Sequence, residues 1–313
     1  MANKSAGGFS KQSDAPLERI DVELKSFDLN VIRSLDGKIG VQVQGKGADR
    51  VEVSFDENCV RIAEGSPTLW QGSGTVTLAL PETRFRDARL LSASGDIDVN
   101  GLSAETILLQ SASGDIDASE VSSLADLKII SQSGGIRVRG ASAENLSLSV
   151  RSGDISLSAG TVGETILIDS GSGDVDVLST NAAELKLESA SGDIRALTGE
   201  FRRSFFIRTH SGDAEIKLNG DSGFVKSTSG DIRYLGTCRE IMLESTSGDI
   251  RALGEFEGIR LSSVSGDIGV TSRLPNVDHI DVSTVSGDID IWCPEQATFR
   301  IKAHSVSGNV RKH

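Results

Sequence analysis

The stretch LESASGDIRA, Leu187 to Ala196, decides the fold, because near-copies of its Ser-x-Ser-Gly-Asp-Ile core recur down the chain. The glycines of these copies are Gly95, Gly114, Gly134, Gly153, Gly173, Gly192, Gly212, Gly230, Gly248, Gly266, Gly287 and Gly308, spaced 18 to 21 residues apart. Self-similarity at such a period marks a solenoid in which each copy supplies one coil. Reading back from Gly192 in steps of two gives Ser191, Ser189, Leu187 and Leu185, with Ala190, Glu188 and Lys186 between them. Period-two alternation is the signature of a strand with one buried face. It predicts a strand facing in at all four of those positions, a corner at Gly192-Asp193, and a second strand restarting at Ile194.

Compared across copies, the motif becomes a set of columns. The residue after the corner is Ile in nine copies, Val175 and Val310 in two, and Ala214 in one. The residue five before each glycine is aliphatic throughout, from Leu90 to Ala303. Coils stacked at the ~4.8 Å spacing of hydrogen-bonded strands would pack these columns on themselves. The invariant glycine predicts a corner with positive φ, or one with no room for a Cβ. The fold class that follows is all-β: a single-stranded parallel β-helix of about 19 residues per turn, with 12 regular turns over residues 86–313.

Upstream the strict motif is absent, yet strand-like alternation persists. VIRSLDGKIGVQVQG (Val31 to Gly45) reads as a degenerate copy with Asp-Gly in place of Gly-Asp, and VEVSFDENCVRIAEG (Val51 to Gly65) as another. Residues 18–85 are therefore expected to be degenerate, capping turns of the same helix. Residues 1–17, polar and poor in hydrophobes, are expected to be a disordered tail.

Composition agrees with a layered core and excludes several functions. Of 313 residues 37% are hydrophobic but only 4% aromatic, so the core must be built from small and β-branched side chains. A net charge of −13 argues against nucleic acid, whose binding needs basic neutralisation of phosphate, and against an anionic membrane surface. Cys59, Cys238 and Cys293 form no Cys-x-x-Cys pair and no disulfide framework, and read as buried single thiols. The opening residues hold no apolar run, and no stretch approaches the ~18 apolar residues of a membrane helix. As written, the chain is expected in the cytoplasm, with the cell envelope or surface as the alternative. Nothing implies a cofactor.

Ten copies carry Asp after the glycine: Asp96, Asp115, Asp154, Asp174, Asp193, Asp213, Asp231, Asp249, Asp267 and Asp288, with Gly135 and Asn309 in the other two. Carboxylates ~4.8 Å apart repel by about 1 kcal/mol in water and more when desolvated, so something must compensate. The expected compensation is capping of corner N–H groups by the side chains. A row of Ca²⁺ sites is the weaker alternative, since Ca²⁺ takes six to eight oxygens and each turn offers one carboxylate and a serine hydroxyl. The serines have no partner base at a repeated position, so no catalytic residue is assigned.

The last copy stops at SVSGNVRKH, without an amphipathic capping segment, and nearby the outward position two before glycine becomes Val264, Val285 and Val306, with Trp292 close in sequence. These four residues are the candidates for self-association, end to end through the C-terminal turn.

Tandem SxSGDI-x-V copies after a diverged β-rich start resemble the bacterial putative-adhesin β-strand-repeat family, a domain of unassigned function. The resemblance covers residues 20–313 and implies a β-helix, often associated with the cell envelope, with no catalytic residues to transfer. The reading that follows is a non-catalytic structural or interaction scaffold, a rod presenting a repetitive surface for protein or self-association. A polymerising, cytoskeleton-like β-helix is the alternative. A carbohydrate-active β-helix enzyme is disfavoured by the single Tyr234, two Trp and four scattered His.

Overall fold

The structure, a computed structural model, describes residues 3–5, 8–14, 17–56, 58–65, 72–274, 277–294 and 300–313. The chain is a single-stranded parallel β-helix, and its contacts separate it into two compact units, 1–163 and 164–313.

In the second unit the two predicted aliphatic columns run in register through every coil. One passes from Ile168 through Leu187, Ile207, Val225, Leu243, Leu261 and Val282 to Ala303. The other passes from Val175 through Ile194, Ala214, Ile232, Ile250, Ile268 and Ile289 to Val310. All are at most 3% exposed except in the last coil, where Val310 is 47% exposed. Burying an Ile or Leu contributes roughly 1.5–3 kcal/mol, so the columns are the main source of cohesion between coils. The second strand of a coil does not end before the next begins: Ile194–Ser211, Ala214–Ser229, Ile232–Ser247 and Ile250–Ser265 are continuous, broken only at the Gly-Asp corner. Phe201, Phe205, Tyr234 and Phe256 form a buried chain of rings with centroids 6.5, 6.0 and 5.9 Å apart, and the Tyr234 hydroxyl donates to the Leu218 carbonyl at 2.9 Å. Four of the scarce aromatics thus serve this part of the core, while Phe27 and Phe85 are buried in the first unit.

The first unit opens with β1 (Asn3–Ser5), β2 (Gly8–Ser13), β3 (Arg19–Leu24), β4 (Asp28–Arg33), β5 (Ile39–Lys46), β6 (Val51–Asp56), β7 (Cys59–Glu64), β8 (Ser73–Leu80), β9 (Phe85–Ser92) and β10 (Ile97–Asn100). Strand β3 lies parallel between β7 and β9, and β4 parallel between β8 and β10. The coils are therefore stacked in the order β7–β8, β3–β4, β9–β10, out of chain order. Val22 and Leu29 join the aliphatic columns of Leu90 and Ile97.

Three expectations need correction here. Val31 to Gly45 is not one coil: Asp36 accepts from Ser34 Oγ and Lys38 N, closing a turn that sends β5 back antiparallel to β8. Val51 to Gly65 is likewise an antiparallel hairpin, β6 on β7, of which only β7 joins a coil. Residues 1–17 hold strands where composition predicts disorder, with β2 antiparallel to β5 and β1 to β2; residues 1, 2, 6, 7, 15 and 16 lie outside the described ones. Backbone groups along β5 take a partner strand regardless of its side chains, which composition does not register.

At the corners, both explanations offered for the glycine operate. Gly153 sits at φ +136°, and a Cβ there would come within 2.6 Å of the Gly134 carbonyl oxygen. Gly192 sits at φ +112°, with the Gly173 carbonyl in the path of any Cβ. The serine preceding the glycine does not face in as predicted. Ser189 is buried at 3%, whereas Ser191 is exposed, because the chain has begun to turn and the strand parity ends there.

A buried carboxylate closes one corner of the first unit. Glu64, with a fully buried side chain, accepts from the backbone N–H groups of Lys25 at 2.7 Å, Ser26 at 2.8 Å and Phe27 at 3.4 Å, and from Ser26 Oγ at 2.6 Å. Burial pushes its pKa up, but the Ser26 hydroxyl and the three N–H groups more than offset this and hold it below the ordinary glutamate value.

Two outcomes are expected. Gly192→Ala should lower the unfolding free energy by on the order of 3 kcal/mol in urea titrations, through combined clash and φ strain. Glu64 has a depressed folded-state pKa, so its stabilisation is complete above the unfolded value of about 4.5 and is lost as pH falls through the folded one. Urea midpoints between about pH 2 and 7 should show this acid loss, and Glu64→Gln should lower the neutral plateau and flatten part of the slope.

Candidate functional site

The aspartate row is a hydrogen-bonded ladder between coils. In the second unit, from Asp193 onward, the backbone N–H of each corner residue donates to Oδ1 of the corner aspartate one coil earlier. Asp193 donates to Asp174 and Asp213 to Asp193, both at 2.9 Å, and Asp231 donates to Asp213 at 2.8 Å. Asp249 donates to Asp231 and Asp267 to Asp249, both at 2.9 Å, Asp288 to Asp267 at 2.7 Å, and Asn309 to Asp288 at 2.8 Å. In the first unit Asp115 donates to Asp96 and Gly135 to Asp115, both at 2.8 Å, while Asp154 is exposed at its own corner.

The row begins one coil earlier than the motif shows. Asp96 N–H donates to Asp28 Oδ1 at 3.0 Å, and the Phe27 carbonyl stands where the other copies have the glycine carbonyl. The signal was present in SFDLNV, which keeps Asp followed by alternating aliphatics but has Phe27 in the glycine position.

The carboxylates leave little for a cation. Oδ1 is occupied by an N–H donor at each rung named above, and several Oδ2 atoms face arginine. These pairs are Asp231 with Arg233 at 3.3 Å, Asp249 with Arg251 at 3.6 Å, and Asp288 with Arg311 at 2.9 Å. The Asn309 N–H, assisted by Arg311, holds the Asp288 carboxyl below its ordinary range. Among the described residues no three His, Cys, Asp or Glu side chains converge as metal ligands do. One remaining oxygen per coil falls far short of the six to eight that Ca²⁺ takes.

No activated nucleophile is evident among the thiols. Burial pushes Cys238 up to about 11, and raises Cys59 and Cys293 as well, so all three favour the unreactive thiol. Among the described residues no helix is long and apolar enough to cross a membrane, which says nothing of a β-barrel.

The four self-association candidates separate. Val264, Val285 and Val306 are 52%, 50% and 68% exposed, one coil apart on strands that precede the corner. Trp292, 42% exposed, lies on Ile289–Trp292 after the corner and stacks on His313, with ring centroids 5.0 Å apart and planes 12° apart. Sequence reading grouped them by proximity in the chain and did not register the corner between them.

A model of the Toastrack DUF4097 family matches residues 17–222, 162–255 and 203–313. No curated protein is significantly similar. Among solved structures, a "putative adhesin" from Parabacteroides merdae is 13% identical, with a TM-score of 0.26, over 98% of this chain and 96% of that one. A "putative adhesin" from Bacteroides fragilis is 13% identical, with a TM-score of 0.30, over 99% and 98%. A "putative lipid binding protein" from Parabacteroides distasonis is 13% identical, with a TM-score of 0.24, over 97% of each chain. The family match spans the repeats and the diverged start together, and on that match the chain belongs to the Toastrack DUF4097 family.

Proposed function

We propose that this chain is a non-catalytic interaction scaffold, whose outward columns present a repeating surface to a protein partner or to a second copy. The observation that carries the reading is the division of labour within the repeat. The invariant glycine and the aspartate are occupied by contacts between coils. The positions that differ from coil to coil point outward, where a binding surface must lie.

Val264, Val285 and Val306 favour self-association. The same column carries His210, Thr228 and Thr246 in the preceding coils, so the change to valine makes a local apolar strip on an otherwise polar edge. Sedimentation velocity from about 1 to 200 μM should show a concentration-dependent larger species, consistent with the micromolar affinities common to small interfaces. Val285→Asp should return it to the monomer. A wild-type chain that stays monomeric at the highest concentration contradicts the self-association reading.

A further inference from the structure

The outward face after the corner is missing a rung beside Trp292. The strands Ile250–Ser265, Ile268–Ser272 and Ile289–Trp292 are parallel neighbours, in register at Arg251, Gly269 and Asp290, and again at Leu253, Thr271 and Trp292. Gly269 and Thr271 leave the middle strand almost bare between two larger walls. A carbon built on Gly269 would sit 3.8 Å from Trp292 Cζ3 and 3.9 Å from Arg251 Cγ, ordinary van der Waals contact with both. The slot at that point is one atomic layer thick. It belongs to a cleft of about 570 Å³.

The two walls differ in chemistry. His313 follows on the next coil and stacks on one indole face, with ring centroids 5.0 Å apart and planes 12° apart. The opposite face is therefore turned to the side of Gly269 and Thr271. On the far wall Arg251 lies directly opposite Arg233 in the register, their side chains 65% and 52% exposed. Like charges in that relation are unfavourable, and an anion between or beside them relieves the repulsion. Their carboxylate partners, Asp249 at 3.6 Å and Asp231 at 3.3 Å, hold them loosely. Asp267 and Asp290 also border the cleft.

We propose that this slot binds one uronate residue of an acidic glycan. A pyranose ring is one layer thick, and its C–H face packs on the free indole face. Its carboxylate meets guanidinium groups suited to paired hydrogen bonds. Its hydroxyls can donate to Asp267 and Asp290 beside the contacts these carboxylates already make, with Asp288 N–H and with Arg311 and His313, whereas a flat aromatic acid brings no such donors. The site requires no self-association, so it stands or falls independently of the valine strip.

The two tryptophans of the chain are Trp70 and Trp292, so in a full-length Trp70→Phe background Trp292 is the sole indole reporter. Titration with trigalacturonate should give a saturable change in Trp292 fluorescence, with a Kd below about 1 mM, and neutral galactotriose should bind at least about ten-fold more weakly. Gly269 has no positive φ to lose, so Gly269→Leu should fold with unchanged circular dichroism, fill the slot and abolish the response. Arg251→Gln should keep the fold and reduce the preference for the acidic over the neutral trimer. The proposal is overturned if trigalacturonate gives no saturable signal up to about 10 mM, a concentration at which even very weak sites fill. Equal binding of the two trimers, or undiminished binding by folded Gly269→Leu, overturns it as well.

Discussion

The backbone N–H of the residue that follows each corner glycine is the constraint on which the coils depend. At the corner the N–H groups of the glycine and of the aliphatic residue two places on still pair with backbone carbonyls of the next coil, and the amide between them is the one that leaves this ladder. Most of these corner residues are exposed, so an amide left to water forgoes only the net gain of a hydrogen bond, about 0.5–1.5 kcal/mol, but that loss would recur at every coil. The carboxylate one coil earlier removes it. Because the acceptor sits on the neighbouring coil, the same bond that satisfies the amide also fixes the register between coils. Close approach at the corner follows, and it leaves no room for a Cβ between successive glycine carbonyls. Gly and Asp are therefore one device in two residues.

The magnitudes explain why a column of like charges persists. Carboxylates one coil apart repel by about 1 kcal/mol at the dielectric of water. A charge-assisted hydrogen bond contributes about 1.5–3 kcal/mol, and arginine beside Asp231, Asp249 and Asp288 reduces the repulsion further. At the corner of Asn309 both the backbone N–H and the side-chain amide donate to Asp288 Oδ1, at 2.8 and 3.2 Å, with no charge added to the row. In the first unit Glu64 plays the reverse part, using a longer side chain to receive three corner amides at once. Antiparallel strands then flank the coil that carries it, in place of further parallel coils.

Much of the fold was legible because its determinants repeat. The period, the two aliphatic columns and the position of the corner could each be read from copies such as LESASGDIRA, since an error in one copy is corrected by the others. What was not legible was non-local or occurred once. The partner of each aspartate lies about 19 residues away, so the carboxylate could be recognised as a cap without its donor being identified. Asp28 was hidden by Phe27 in the glycine position, and Ser191 was misplaced because alternation was extended one residue into the turn. The stacking of β3–β4 between later strands leaves no periodic trace, because parallel pairing between segments 40 to 70 residues apart is a tertiary outcome. The slot beside Trp292 has the same character: it arises from a missing side chain, Gly269, and only the register shows what stands on either side.

The claim that each corner amide is held by the carboxylate of the preceding coil is tested most directly by native-state hydrogen exchange. In Asp249→Ala the Asp267 amide loses its acceptor, while Ile268 N–H keeps its bond to the Asp288 carbonyl at 2.9 Å. Exchange at Asp267 should accelerate by at least about ten-fold, corresponding to about 1.4 kcal/mol of lost protection, with Ile268 changing much less. Equal protection of Asp267 in the wild type and the variant, with the fold intact, would contradict the account.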